Sequence, residues 1–257
     1  MLNRCTFSAV LAAGAATSLL GVRTASRAAV PARNIVLIHG AYADGSSWSE
    51  VIGPLQAVGM RVTAVQNPLT SLTDDVAAAR RAIAMQDGPT VLAAHSYGGM
   101  VISEAGVDSK ISALVYVAAR APDAGEDYAT LAAKFPTAPA GAGLVQSDGF
   151  EQLNENAFLN DFANGVAAAK AHQLYAVQAP ITVKLFATAK TTVAAWRSKP
   201  SWYAVSKQDR TIAPELERFM AERMNATTTE IDAGHLSLVS HPQEISALIL
   251  SAAGHRG

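Results

Sequence analysis

The stretch Ala94-His95-Ser96-Tyr97-Gly98-Gly99 lies between an apolar run of strand length, Thr90 to His95, and a segment of helical spacing, Gly98 to Gly106. A serine at such a junction occupies a tight, strained turn that lifts its hydroxyl to the carboxyl edge of a sheet. Small residues two before and two after it let neighbouring backbone come close. The helix beginning there points free N–H groups toward any anion that forms at the site. This is the chemistry of an acyl-transfer nucleophile. Where glycine usually stands two before the serine, this chain has Ala94, which is small enough to serve. A plain glycine-rich turn would look the same in isolation, so the partners decide.

A serine nucleophile at neutral pH needs a general base, and the base needs an orienting carboxylate. In a strand–turn–helix setting the chain order is serine, acid, histidine, with the last two on loops after late strands. Asp209 follows the strand-like Ser201 to Ser206, and His235 follows the strand-like Thr227 to Ile231. Asp232 is a rival acid, three residues before His235. A carboxylate on the same strand end points away from the imidazole's Nδ1 edge, whereas one from the adjacent strand approaches it from the side. Developing negative charge needs oriented donors. The backbone N–H of Tyr97 is one, and the N–H of Ala41 in His39-Gly40-Ala41 is the second. Of the other histidines, His39 ends a strand and His95 points toward the core or the sheet edge. His172, His241 and His255 read as structural or exposed. No pair has zinc-site spacing, and there is no phosphate loop.

The elements that must position these residues alternate along the chain. Strand-like runs are Asn34 to His39, Arg61 to Val65, Thr90 to His95, Ile111 to Ala118, Ser201 to Ser206 and Thr227 to Ile231. Helical patterns fall at Ser49 to Val58, Ser71 to Met85, Gly98 to Gly106, Pro214 to Met224 and after Pro242. Asp74 and Asp75 in a first turn suit the positive end of the helix dipole. Strands apolar on both faces predict an α/β fold, a mostly parallel sheet with helices on both faces. The alternation fails between residues 121 and 199, where several helical patterns and no convincing strand predict an inserted helical lid.

The chain has 257 residues, half of them apolar and 16% charged, which excludes disorder and leaves ample chain for a core. With 20 basic and 21 acidic residues, nothing points to a nucleic-acid partner. A single cysteine, Cys5, excludes an intramolecular disulfide framework and a cysteine-based zinc site. The first 28 residues read as a signal peptide: Arg4 supplies the positive start, Phe7 to Val22 is uncharged, and Ser26-Arg27-Ala28 offers a cleavage site. The apolar stretch is short for a spanning helix. The expectation is therefore an exported protein, periplasmic or secreted, with one domain over 29–257, no cysteine and no stable membrane association after processing. An anchor that stays attached is the alternative.

Ile38-His39-Gly40, Trp48, His95 to Met100, Asp209-Arg210 and Gly234-His235-Leu236 together resemble the α/β-hydrolase superfamily. The likeness runs over nearly everything from Asn34 to Leu250. Within it the chain resembles the branch holding plant methyl esterases, hydroxynitrile lyases and many bacterial esterases. The resemblance implies a Ser96–His235–Asp209 triad, an oxyanion hole from the N–H groups of Ala41 and Tyr97, and neither cofactor nor metal. Lyases of this branch carry threonine after the first-strand histidine and lysine after the catalytic one. Here those positions are Gly40 and Leu236. The expected activity is thus a serine esterase acting on small to medium, largely apolar carboxylic esters. Cofactor-free perhydrolase or haloperoxidase activity, lyase activity, and a non-catalytic ligand-binding role are the alternatives.

Overall fold

The computed structural model describes Met1 and residues 31–255. The expected export signal, its cleavage after Ala28 and Cys5 lie outside the described residues. The central sheet has six parallel strands: β1 (Asn34–Ile38), β2 (Arg61–Val65), β3 (Thr90–His95), β4 (Ile111–Val117) and, after the insert, β8 (Ser201–Ser206) and β9 (Thr227–Ile231). The insert carries β5 (Leu144–Ser147), β6 (Phe150–Leu153) and β7 (Ile181–Thr182). The order across the large sheet is β2-β1-β3-β4-β8-β9. All residues of β1 and β3 are buried, as an interior parallel strand covered on both faces requires. Each fully buried Ile, Val or Leu there stabilises the fold by roughly 1.5–3 kcal/mol.

The order also fixes where the helices go. Right-handed crossovers that move in opposite directions along a sheet put their helices on opposite faces. The step from β1 to β2 runs one way through α1 (Ser49–Ala57). The steps from β2 to β3 and β3 to β4 run the other way through α2 (Leu72–Ala84) and α3 (Gly98–Ala105). Four short helices lie in the insert: α4 (Tyr128–Ala132), α5 (Glu155–Ala157), α6 (Ala168–Ala176) and α7 (Leu185–Thr188). Then come α8 (Pro214–Arg223), α9 (Ser237–Ser240) and α10 (Pro242–Ala252). α10 packs on α1, and α2 packs on α3. The loops leaving β1 and β3 diverge to opposite faces, opening a crevice at their carboxyl ends where open α/β sheets bind ligands. Among the described residues no helix is long and apolar enough to cross a membrane.

The insert departs from the expected all-helical segment. β5, β6 and β7 form a small antiparallel sheet, with β5 and β6 joined by Asp148-Gly149. Both turn residues have positive φ, 49° and 81°. An Asp-Gly pair between two short runs is a strong hairpin signal, and here it outweighs the weak alternation of the runs. β5 is exposed along its whole length, so no buried face marks it as a strand.

Candidate active site

Ser96 directly follows β3 with φ 53°, in the left-handed region that a non-glycine residue rarely occupies. The strain persists because its surroundings leave no alternative. Its N–H donates to Val117 O at 3.2 Å, while its carbonyl accepts from Gly99 N and Arg120 N. Two glycines allow this packing. A Cβ on Gly40 would sit 2.7 Å from the Ser96 Cβ, and one on Gly98 would sit 2.8 Å from His39 O. The loop after β1 therefore lies directly against the serine. Among the described residues, neither Ala41 N nor Tyr97 N hydrogen-bonds to another group.

His235 and Asp209 leave the ends of β9 and β8. His235 Nδ1 lies 2.5 Å from Asp209 Oδ2, and both side chains are fully buried. The Nδ1–H donates to the carboxylate, which leaves Nε2 with its lone pair free as the basic nitrogen. Nε2 is buried without a hydrogen-bond partner among the described residues, the Ser96 hydroxyl included. Asp209 is held in turn: Oδ1 accepts from Thr211 N at 2.6 Å and Ile212 N at 2.9 Å. Asp232 is exposed and accepts from Gln208 Nε2 at 2.9 Å.

The remaining histidines take structural places. Asn67 N donates to His39 Nε2 at 2.9 Å, so that ring is neutral and its Nδ1–H donates to Gly40 O at 2.8 Å. Burial lowers its pKa, consistent with a neutral ring. His95 Nε2–H donates to His235 O at 3.0 Å, anchoring that residue's backbone, and burial holds the His95 ring neutral. His172 and His255 are exposed, and His241 starts α10.

Three acids do more than their positions in sequence suggest. Ser71 caps α2 by accepting from the Asp74 N–H, and Asp74 stays exposed, but Asp75 is buried and not facing solvent as a dipole partner would. It accepts from Leu69 N and from the Tyr97 hydroxyl, each at 2.8 Å, fixing the residue after Ser96. Glu151 of β6 accepts from the Tyr42 hydroxyl at 3.1 Å and ties the insert to the loop carrying Ala41. Phe162 adds to that cover, its ring centre 5.1 Å from that of His235.

Glu217 of α8 is wholly buried and accepts from Ser206 N at 3.0 Å, while its other carboxyl oxygen has no hydrogen-bond partner among the described residues. Burial first, and the Asp209 charge second, push its carboxyl well above the ordinary range. Both effects favour the neutral, protonated form of Glu217. The sign of the linkage follows. Unfolded chains lose this proton near pH 4.5 while the folded protein keeps it, so this group costs stability as pH rises above that value. The slope reaches about 1.4 kcal/mol per pH unit. Glu217→Gln keeps a donor and removes the proton. Its stability advantage over the parent should grow in urea titrations as pH rises above about 5, and a pH-independent difference would contradict the assignment.

A cavity of about 420 Å³ is walled by Met100 of α3, by Arg120, by Tyr128 and Phe186 of the insert, and by Thr211 and Leu216 beyond Asp209, among others; Ser96 and His235 are not among its lining residues. Ser96 itself is 5% exposed.

Residues 35–248 match the model of the alpha/beta hydrolase family, and the chain belongs to that family. It is 24% identical over 241 residues to an alpha-hydroxynitrile lyase of Arabidopsis thaliana, across 82% of this chain and 93% of the relative. Among solved structures it is similar to polyneuridine aldehyde esterase, with TM-score 0.74 and 20% identity over 85% of this chain and 98% of that one. A methylesterase protein from Arabidopsis superposes with TM-score 0.71 and 17% identity, covering 87% of this chain and 99% of that one.

Proposed function

We propose that the protein is a serine hydrolase that cleaves carboxylic esters of small to medium size through an acyl-enzyme. In this reading Ser96 Oγ attacks the ester carbonyl and His235 Nε2 takes its proton. The Ala41 and Tyr97 N–H groups hold the oxyanion, and Asp209 fixes the imidazole and stabilises its charged form. His235 then passes the proton to the departing alcohol, and water repeats the sequence to release the acid. The observation that carries the reading is the left-handed Ser96 turn at the edge of a sheet that also delivers a buried His235–Asp209 pair. The mainly apolar walls of the neighbouring cavity suit a small organic substrate.

Cyanohydrin cleavage is the second reading, favoured by the alpha-hydroxynitrile lyase among the relatives. Against it stand Gly40, which has no room for a side chain, and Leu236, which is buried where a lyase of this branch carries a cation. Purified protein should hydrolyse p-nitrophenyl butyrate and release little cyanide from mandelonitrile. Fast cyanide release without ester turnover reverses the ranking. Added peroxide tests for perhydrolysis in the same assay.

A further inference from the structure

Arg120 follows the end of β4, two residues beyond Ala118, whose φ is 43°. Its N–H donates to Ser96 O at 2.9 Å, so its backbone is tied directly to the serine turn. Its guanidinium carbon lies 3.8 Å from the ring centre of Phe186 and 4.6 Å from that of Tyr128. The two aromatic faces fix a planar cation while leaving its edge donors unspent. Nε is buried and has no hydrogen-bond partner among the described residues. Arginines elsewhere in the fold are exposed or ion-paired: Arg197 with Asp123, Arg210 with Asp161, Arg218 with Glu230, Arg223 with Glu126. Among the described residues Arg120 alone is a half-buried arginine without an ion-pair partner.

Three buried carboxylates of the fold are engaged with other groups. Asp75 takes Tyr97, Glu151 takes Tyr42, and Asp209 takes His235 and two backbone N–H groups. Arg120 instead faces the 420 Å³ cavity, most of whose other walls are small or apolar. A cation presented to such a space lacks a counter-charge, and an entering anion would meet forked donors in a setting that strengthens charge-assisted hydrogen bonds.

We propose that Arg120 forms an anion subsite in this cavity, and that the substrate is an ester carrying a carboxylate at its non-reacting end. The proposal rests on Ser96 being the nucleophile of an ester hydrolase. It gives the otherwise apolar cavity an orienting group: the carboxylate pairs with the guanidinium edge while the alkyl linker packs on Phe186 and Leu216.

The test compares kcat/KM for mono-p-nitrophenyl glutarate with that for p-nitrophenyl pentanoate. A carboxylate on the alcohol side is tested with p-carboxyphenyl butyrate against phenyl butyrate. The wild-type protein should favour the charged member of at least one pair by about tenfold or more, the scale of one charge-assisted hydrogen bond. Arg120→Met should erase the preference, and Arg120→Lys should keep part of it. Equal rates within both pairs in the wild type, or a preference that survives Arg120→Met, overturn the proposal. A binding arm separates this from the hydrolase reading: calorimetry of monomethyl glutarate on Ser96→Ala protein, with and without Arg120→Met. Arg120-dependent binding without turnover of any ester in the parent keeps the subsite and sinks the hydrolase reading. Hydrolysis of neutral esters with no Arg120-dependent charge preference does the reverse.

Discussion

Ser96→Ala should lower ester turnover by on the order of a million-fold and abolish labelling by a fluorophosphonate probe. No neighbouring hydroxyl can substitute. The turn at Ser96 holds one side chain at the edge of β3, and the Gly40 and Gly98 backbones leave no slack for another to swing in. Alanine accepts the same backbone conformation as poorly as serine does, so the fold should persist with the hydroxyl alone removed. Circular dichroism and a melting curve close to the parent's would establish that the loss is chemical. Labelling that survives in Ser96→Ala means that another residue is the nucleophile.

Asp209→Asn should cost on the order of ten-thousand-fold, and Asp232→Asn almost nothing. The reason lies in which atoms are already committed. Oδ1 of Asp209 accepts from the Thr211 and Ile212 N–H groups, so an asparagine there keeps its oxygen on those donors. Its NH₂ then faces His235 Nδ1 and donates to it. The proton is driven to Nε2, and the nitrogen that must accept from Ser96 becomes a donor. Asp232 offers no such leverage: it is exposed and engages Gln208 and Lys207. The expected penalty there is that of a surface hydrogen bond, about 1 kcal/mol or less. Turnover that collapses in Asp232→Asn and survives in Asp209→Asn would transfer the acid's role.

What could be read from the chain follows a physical division. β1, β3 and β8 are apolar runs cut off by glycine, proline or polar turns, and such local signals place strand ends to within a residue. Because strand ends were legible, so were the positions of Ser96, Asp209 and His235, and the structure brings the last two together. The side of a helix that faces inward is harder to read. Asp75 and Glu217 both stand in acidic first turns, where dipole stabilisation explains them without any burial. Only the packing of α2 on α3, and of α8 on β8, turns them inward. For Glu217 a clue was present, since it shares a stripe with buried Ala213, Met220 and Ala221. Arg120 carried no local mark at all, because its unpartnered Nε and its seat on Phe186 arise only when the insert packs against the end of β4. The β5–β6 hairpin was the reverse case, with its Asp-Gly signal in plain view beside runs too short to draw notice.

The absence of space at Gly40 bears on how new activities can arise on this scaffold. Threonine at that position in lyases of the branch is one substitution away on paper. Here the first added carbon would overlap the Ser96 side chain, at 2.7 Å from its Cβ. Any path toward cyanohydrin cleavage by point replacement must therefore pass through a variant whose β1 loop has moved. A moved loop also displaces the N–H of Ala41, so the proposed ester hydrolysis would fade before a new activity was assembled. A fitness valley of this kind favours refinement of the proposed chemistry, and it directs laboratory evolution toward small cavity-lining positions of the insert such as Ala129, Ala132 and Ala133.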